Sequence, residues 1–164
     1  MSRELPLGLV LRHNTWATLE LLRFLGTLDP SRLDITAAGT YGSAYETLRH
    51  LVGAEQWYVS LLTGEVLGTR MPRGSRPSLD EIGSTAAAVG ERALAVARDD
   101  DATRVIKMRE SERSTVGVVL AQLVHHGNEH RTQITTILGA NGIEPPPVSA
   151  WGYGRAIHVS DPEP

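Results

Sequence analysis

Apolar residues recur along this chain at spacings of three and four, in four stretches separated by breakers. The first stretch runs from about Leu7 to Leu28, with Leu11, Leu19, Leu22 and Leu25 among its apolar positions. It stops at Gly26 to Pro30, where Asp29-Pro30 favours an extended or turn conformation. The second opens at Ser43-Ala-Tyr-Glu46, in which the serine caps a free amide and the glutamate reaches back to the serine's own N–H. It runs to about Leu62. Ser78-Leu-Asp-Glu81 repeats that pattern and opens the third stretch, to about Arg98. The fourth is capped by Ser114 or Thr115, runs to about Gly139 and stops at Asn141-Gly142. Between the third and fourth, Thr103 to Met108 is rich in β-branched residues and Arg109 to Ser114 is polar, which predicts a short strand or hairpin. The pattern predicts an all-α fold: a four-helix bundle with long connections and a short hairpin between helices 3 and 4. One domain is expected over residues 1–164, with its core at about 7–142. Pro145-Pro146-Pro147 predicts an extended tail over 143–164, ending in Trp151, Tyr153 and a polar terminus.

Composition narrows the chemistry more than the fold. The 164 residues include no cysteine, which excludes disulfides, thiolate metal sites and cysteine nucleophiles together. Any metal must be held by nitrogen or oxygen, and six histidines are the obvious supply. A net charge of −3 with acids and bases interleaved leaves no footprint for nucleic acid. No run approaches the ~18 apolar residues of a membrane span. The apolar stretch Leu5 to Leu11 has no basic leader and runs into Arg12, so a cytoplasmic protein without a signal peptide is expected. Lys107 is the only lysine beside fifteen arginines, as a GC-rich genome produces. Arg70, Arg73 and Arg76 read as a solvated loop rather than a phosphate site, and Asp99-Asp100-Asp101 as a solvated turn.

Helical phase sorts the histidines. Val119, Leu123, His126, His130, Ile134 and Ile137 form one stripe on the fourth helix, so two histidines sit in its core-facing row. His125 instead aligns with Gln122, Glu129 and Thr132 on a polar face. Histidines at i and i+4 can reach a common metal. The plainer reading is a pair of core histidines satisfied by local hydrogen bonds, and spacing leaves both open. His50 in the second helix is the best third ligand, on a face with Ala54, Trp57 and Leu61; His13 and His158 are weaker candidates. Three protein ligands would leave a coordination position for water or substrate. Zinc, nickel, iron(II) or copper would all accept imidazole.

Four stretches resemble the DinB-like (DinB/YfiT) superfamily. His13-Asn-Thr-Trp-Ala17 with Leu21-Leu22 is similar to its opening helix, and Gly42-Ser43 through Thr47-Leu48-Arg49-His50-Leu51 to Ala54-Glu55 to its second. His126-Gly-Asn-Glu-His130-Arg131 and Gln133 resembles the H-G-x-x-H-R-x-Q signature, with Thr132 where glycine is usual. Leu138 to Pro146 resembles the usual ending. The resemblance implies a divalent metal on His50, His126 and His130, and a homodimer. It also implies thiol S-transferase or isomerase chemistry with a low-molecular-weight thiol such as mycothiol, bacillithiol or glutathione. A small-molecule substrate is expected, and neither nucleic acid nor a membrane. A metal-dependent hydrolase and a non-catalytic stress-response or metal-binding protein are the alternatives. Trp57 and Tyr58 are candidate pocket walls, and Glu55 and Glu129 candidate partners of the ligands, with solvated helix faces as the plainer reading. Arg131 and Gln133 read first as surface or structural residues.

Overall fold

In a computed structural model, residues 6–159 are described. Four long helices make the body: α1 (Pro6–Leu25), α2 (Ala44–Thr63), α3 (Leu79–Asp99) and α4 (Val116–Ala140). Strands β1 (Val105–Lys107) and β2 (Arg113–Thr115) pair antiparallel with Ile106 opposite Ser114, and α5 (Ala150–Ala156) follows α4. The all-α bundle and its hairpin are as the periodicity predicts. The described helices include none long and apolar enough to cross a membrane.

Both capping boxes form. Ser43 and Ser78 accept from the N–H of Glu46 and Glu81, whose carboxylates reach back to the serine amides. Each cap is worth about 1 kcal/mol. Thr115, the last residue of β2, accepts from the N–H of Val118, so the hairpin ends where α4 begins. α1 stops at Leu25, sooner than expected, and the turn ahead closes into a 3₁₀ helix, Pro30–Asp34.

Packing runs α1 to α3, α3 to α2, α2 to α4 and α4 back to α1. Consecutive helices α1 and α2 are therefore diagonal, as are α3 and α4. Crossing a diagonal takes chain, which is the physical reason for the long connection over 26–43 and for the hairpin. The Gly64–Pro77 loop is less solvated than its composition suggests. Met71 is buried, and Arg49 donates to the carbonyls of Met71 and Pro72. Of the three acids read as a solvated turn, Asp99 is instead the last residue of α3, while Asp100 caps that helix and pairs with Arg104, and Asp101 accepts from the Thr103 N–H.

The expected extended tail is a correction. After the prolines, Ser149 caps α5 by accepting from the Gly152 N–H. Tyr153 is buried, with its ring 5.4 Å from that of Trp16. His13 Nε2 lies 2.9 Å from the Val148 carbonyl oxygen, which ties the segment to α1. Prolines stop a helix but do not stop the next one from docking an aromatic. The polar end of that tail, 160–164, lies outside the described residues, as do residues 1–5.

The core is in two apolar halves. One gathers Leu21, Leu25, Leu48, Leu51, Ile82, Ile134 and Ile137; the other gathers Leu11, Val59, Val89, Val119, Leu120 and Leu123. Along α4, His126 and His130 lie between the two, and buried Asn14, Thr18, Glu55 and Arg131 share that level. The candidate site residues come from this polar layer.

Candidate metal centre

His50 from α2 meets His126 and His130 from α4, and the ligand-capable nitrogens of the three lie within 4.8 Å of one another. His126 and His130 are 8% and 6% exposed, and His50 is half-buried. The rings meet edge to face, with His50 at 61° to His126 and 88° to His130. His50 Nε2 and His126 Nε2 are 3.3 Å apart. Two imidazole nitrogens sit so close in one of two ways: a proton lies between them, or both give lone pairs to one cation. Ligands at 2.0–2.1 Å from a tetrahedral ion are about 3.4 Å apart, so the observed spacing is compatible with the second as well as the first.

Protonation favours the same set. Burial first, then the neighbouring imidazoles, lowers His126 to about 4, and burial likewise lowers His50. Both rings are therefore neutral near pH 7, the form in which imidazole has a lone pair to give. The Nδ1 of His126 is buried without a hydrogen-bond partner.

His130 has its tautomer set for it. The side-chain oxygen of Gln133 accepts from the Tyr41 backbone N–H at 3.1 Å and lies 3.1 Å from His130 Nδ1. An oxygen already accepting from an amide needs a donor on its other side, so Nδ1 carries the proton and Nε2 is left with its lone pair. The same glutamine anchors the loop before α2. That loop stacks Tyr41 on His50, 4.1 Å between ring centroids and 12° between planes, and sets its ring edge-on to His130. The sequence reading missed Tyr41 altogether. The available signal was an aromatic residue two positions before the cap of the helix that carries His50.

The remaining candidates divide. Gln133 touches the site, and Trp57 lines a cleft beside it. Glu129 and His125 are exposed on the outer face of α4. Glu55 is 3% exposed, which corrects the solvated-face reading. Its carboxylate accepts from Asn14 Nδ2 at 2.8 Å, and burial pushes its pKa up to about 7 against the pull of Asn14 and Arg131. Arg131 is buried too, donating to the Asn14 carbonyl and the Thr18 hydroxyl. Neither residue is a surface group; both belong to a cluster behind the histidines. Gly127 makes room for it: a Cβ there would lie 2.5 Å from Asn14 Oδ1 and 2.8 Å from Glu55 Oε1. His13 is taken by the tail, and His158 is exposed with φ +56°.

The chain matches the DinB family over residues 1–158. It belongs to the DinB family. Within this DinB fold the three histidines are the group that can hold a metal ion among the described residues. A crystal structure of a DinB-like protein from Bacillus cereus ATCC 10987 is similar, with a TM-score of 0.67 and 20% identity. The likeness covers 84% of this chain and 92% of that one, and it is a likeness of fold. No curated protein matches the chain. Thr132, at the departure from the signature, is exposed and bonds back to the Asn128 carbonyl, so it stands clear of the histidines.

Proposed function

We propose that this DinB protein is a divalent-metal-dependent enzyme that activates a low-molecular-weight thiol, with His50, His126 and His130 as the metal ligands. The observation that carries the reading is the convergence of three imidazoles with two Nε2 atoms 3.3 Å apart. A divalent ion held there (zinc, nickel or iron) supplies a Lewis acid that acidifies a thiol and holds it as thiolate near neutral pH. Gln133 keeps His130 in the ligating tautomer, and Tyr41 screens His50 from water. The chain has no cysteine, so the sulfur must arrive on the substrate. The proposed setting is the cytoplasm, where such thiols are kept reduced.

A hydrolase is less well supported. It calls for a carboxylate base near the metal, and Glu55 is engaged with Asn14 instead. A homodimer, implied by the family resemblance, completes the proposal. Leu9, Val10 and Trp151 leave apolar surface exposed on α1 and α5, and sedimentation of Trp151→Ser checks whether a dimer buries it.

Elemental analysis of untagged protein should find about one divalent ion per chain. The metal-loaded protein, screened with mycothiol, bacillithiol and glutathione against a bromobimane, should then show a thiol-dependent rate above background. A metal-loaded chain with no such rate for any thiol leaves the non-catalytic metal-binding reading in its place.

A further inference from the structure

The face where α2 meets α4 extends beyond the histidines to Tyr58 and Gln122. Gln122 lies one turn before His126 on α4, and Tyr58 lies two turns beyond His50 on α2. The Tyr58 ring presents an edge to His126 at 5.7 Å and 82°, and its hydroxyl accepts from Gln122 Nε2 at 3.4 Å. Beyond this bridge opens a cleft of about 340 Å³, walled by Trp57 and Tyr58 on α2, Val118 and Val119 on α4, and Met108 beside the hairpin. At 1.5 Å per residue its α4 wall lies about 6–12 Å along the axis from His126.

Two features describe what fits there. None of the described side chains lining the cleft is charged. Its apolar walls are open to water, with Trp57 38% and Val118 59% exposed, so covering them is favourable by the ordinary burial of apolar surface. The polar side chains among its described lining are Tyr58 and Gln122, toward the histidines, and Ser114 on β2.

The geometry points to this cleft as the seat of an uncharged apolar arm, aliphatic or aromatic and about 10 Å long, of a substrate whose reactive end lies at the three histidines. Trp57, Met108 and Val118 are then specificity residues, and the Tyr58–Gln122 bridge is the point that the substrate crosses between arm and reactive end. This rests on the metal-site reading above, and the test separates the two.

Straight-chain hydroxamic acids join a metal-binding head to a tail of chosen length. Their affinities for the metal-loaded protein, measured calorimetrically from acetohydroxamate to octanohydroxamate, should rise about threefold per methylene. Val118→Asp should leave acetohydroxamate binding unchanged and cut octanohydroxamate binding at least tenfold. An acid is well tolerated there, in the first turn of α4. Trp57→Ala should reduce the slope as well. A tail-length dependence absent from the parent, or unaltered in both variants, overturns the cleft. Failure of acetohydroxamate itself to bind overturns the metal site and with it the link to the cleft. The cleft is tested independently in metal-free protein with the uncharged fluorophore 1-N-phenylnaphthylamine. Its fluorescence should rise on binding and lose that rise in Val118→Asp; no rise overturns the cleft as an apolar seat.

Discussion

Two polar clusters share a single turn of α4 and are built on opposite principles. His126 and His130 look toward α2 and converge with His50. Gly127 and Arg131, one residue further on in each case, look toward α1 and meet Asn14, Thr18 and Glu55. Behind the histidines, Asn14 Nδ2 donates to Glu55 and Arg131 donates to the Asn14 carbonyl and the Thr18 hydroxyl, so a guanidinium and an amide partly offset the burial of the carboxylate, and Asn14 Oδ1 is left without a partner. At the histidines, three ligand-capable ring nitrogens converge within 4.8 Å of one another. A buried carboxylate held by donors reads as scaffold, whereas three converging imidazoles can hold a cation from outside.

The sharpest way to break that comparison is to remove one member from each side. His126→Ala should abolish metal binding in elemental analysis. Arg131→Met should keep about one ion per chain but lose about 3 kcal/mol of stability in urea, because Glu55 is left buried without its countercharge. If both variants lose metal equally, the clusters are one unit and the distinction fails. Next in size, Gln133→Ala should weaken metal binding roughly tenfold to a hundredfold by freeing the His130 tautomer. Gly127→Ala should instead cost about 2 kcal/mol, through the overpacking that a Cβ forces on Asn14 and Glu55, with stoichiometry unchanged.

The smallest effect distinguishes the clusters by pH. Folding raises Glu55 from 4.5 to about 7, so its contribution to stability is full below 4.5 and is lost as pH rises through 7. Folding lowers His126 from 6.5 to about 4, so in chelator-treated protein its contribution is present above 6.5 and is lost as pH falls toward 4. Glu55→Gln should therefore remove the decline on the alkaline side and leave the acid limb in place. Urea midpoints at pH 5, 6.5 and 8 read both limbs; an unchanged alkaline decline in Glu55→Gln would show that the carboxylate is ionised and solvated after all.

Much of the site is legible along the chain because a helix converts spacing into direction. The phase of His126 and His130 against Val119, Leu123, Ile134 and Ile137 points them inward, and both are buried. The capping serines mark where α2 and α3 begin. Glu55 was misread because a lone acid on a helix reads as solvent-facing, and nothing nearby in sequence announces Asn14 and Arg131. Tyr41 was missed because it lies in a loop, where no periodicity assigns a direction. The second life of the tail as α5 depends on Trp16, far off in sequence.

By itself the sequence determined four helices, the capped starts of three of them, the inward row of α4 and the exclusion of cysteine ligands and nucleophiles, all consequences of local spacing and composition. Only the tertiary structure decided that α2 lies against α4, which brings His50 within 3.3 Å of His126, puts Tyr41 over the site and opens the cleft beside it. Periodicity specifies where a side chain points relative to its own helix axis. Which neighbour it meets is set by how the helices cross the bundle's diagonals, and that depends on every interface at once.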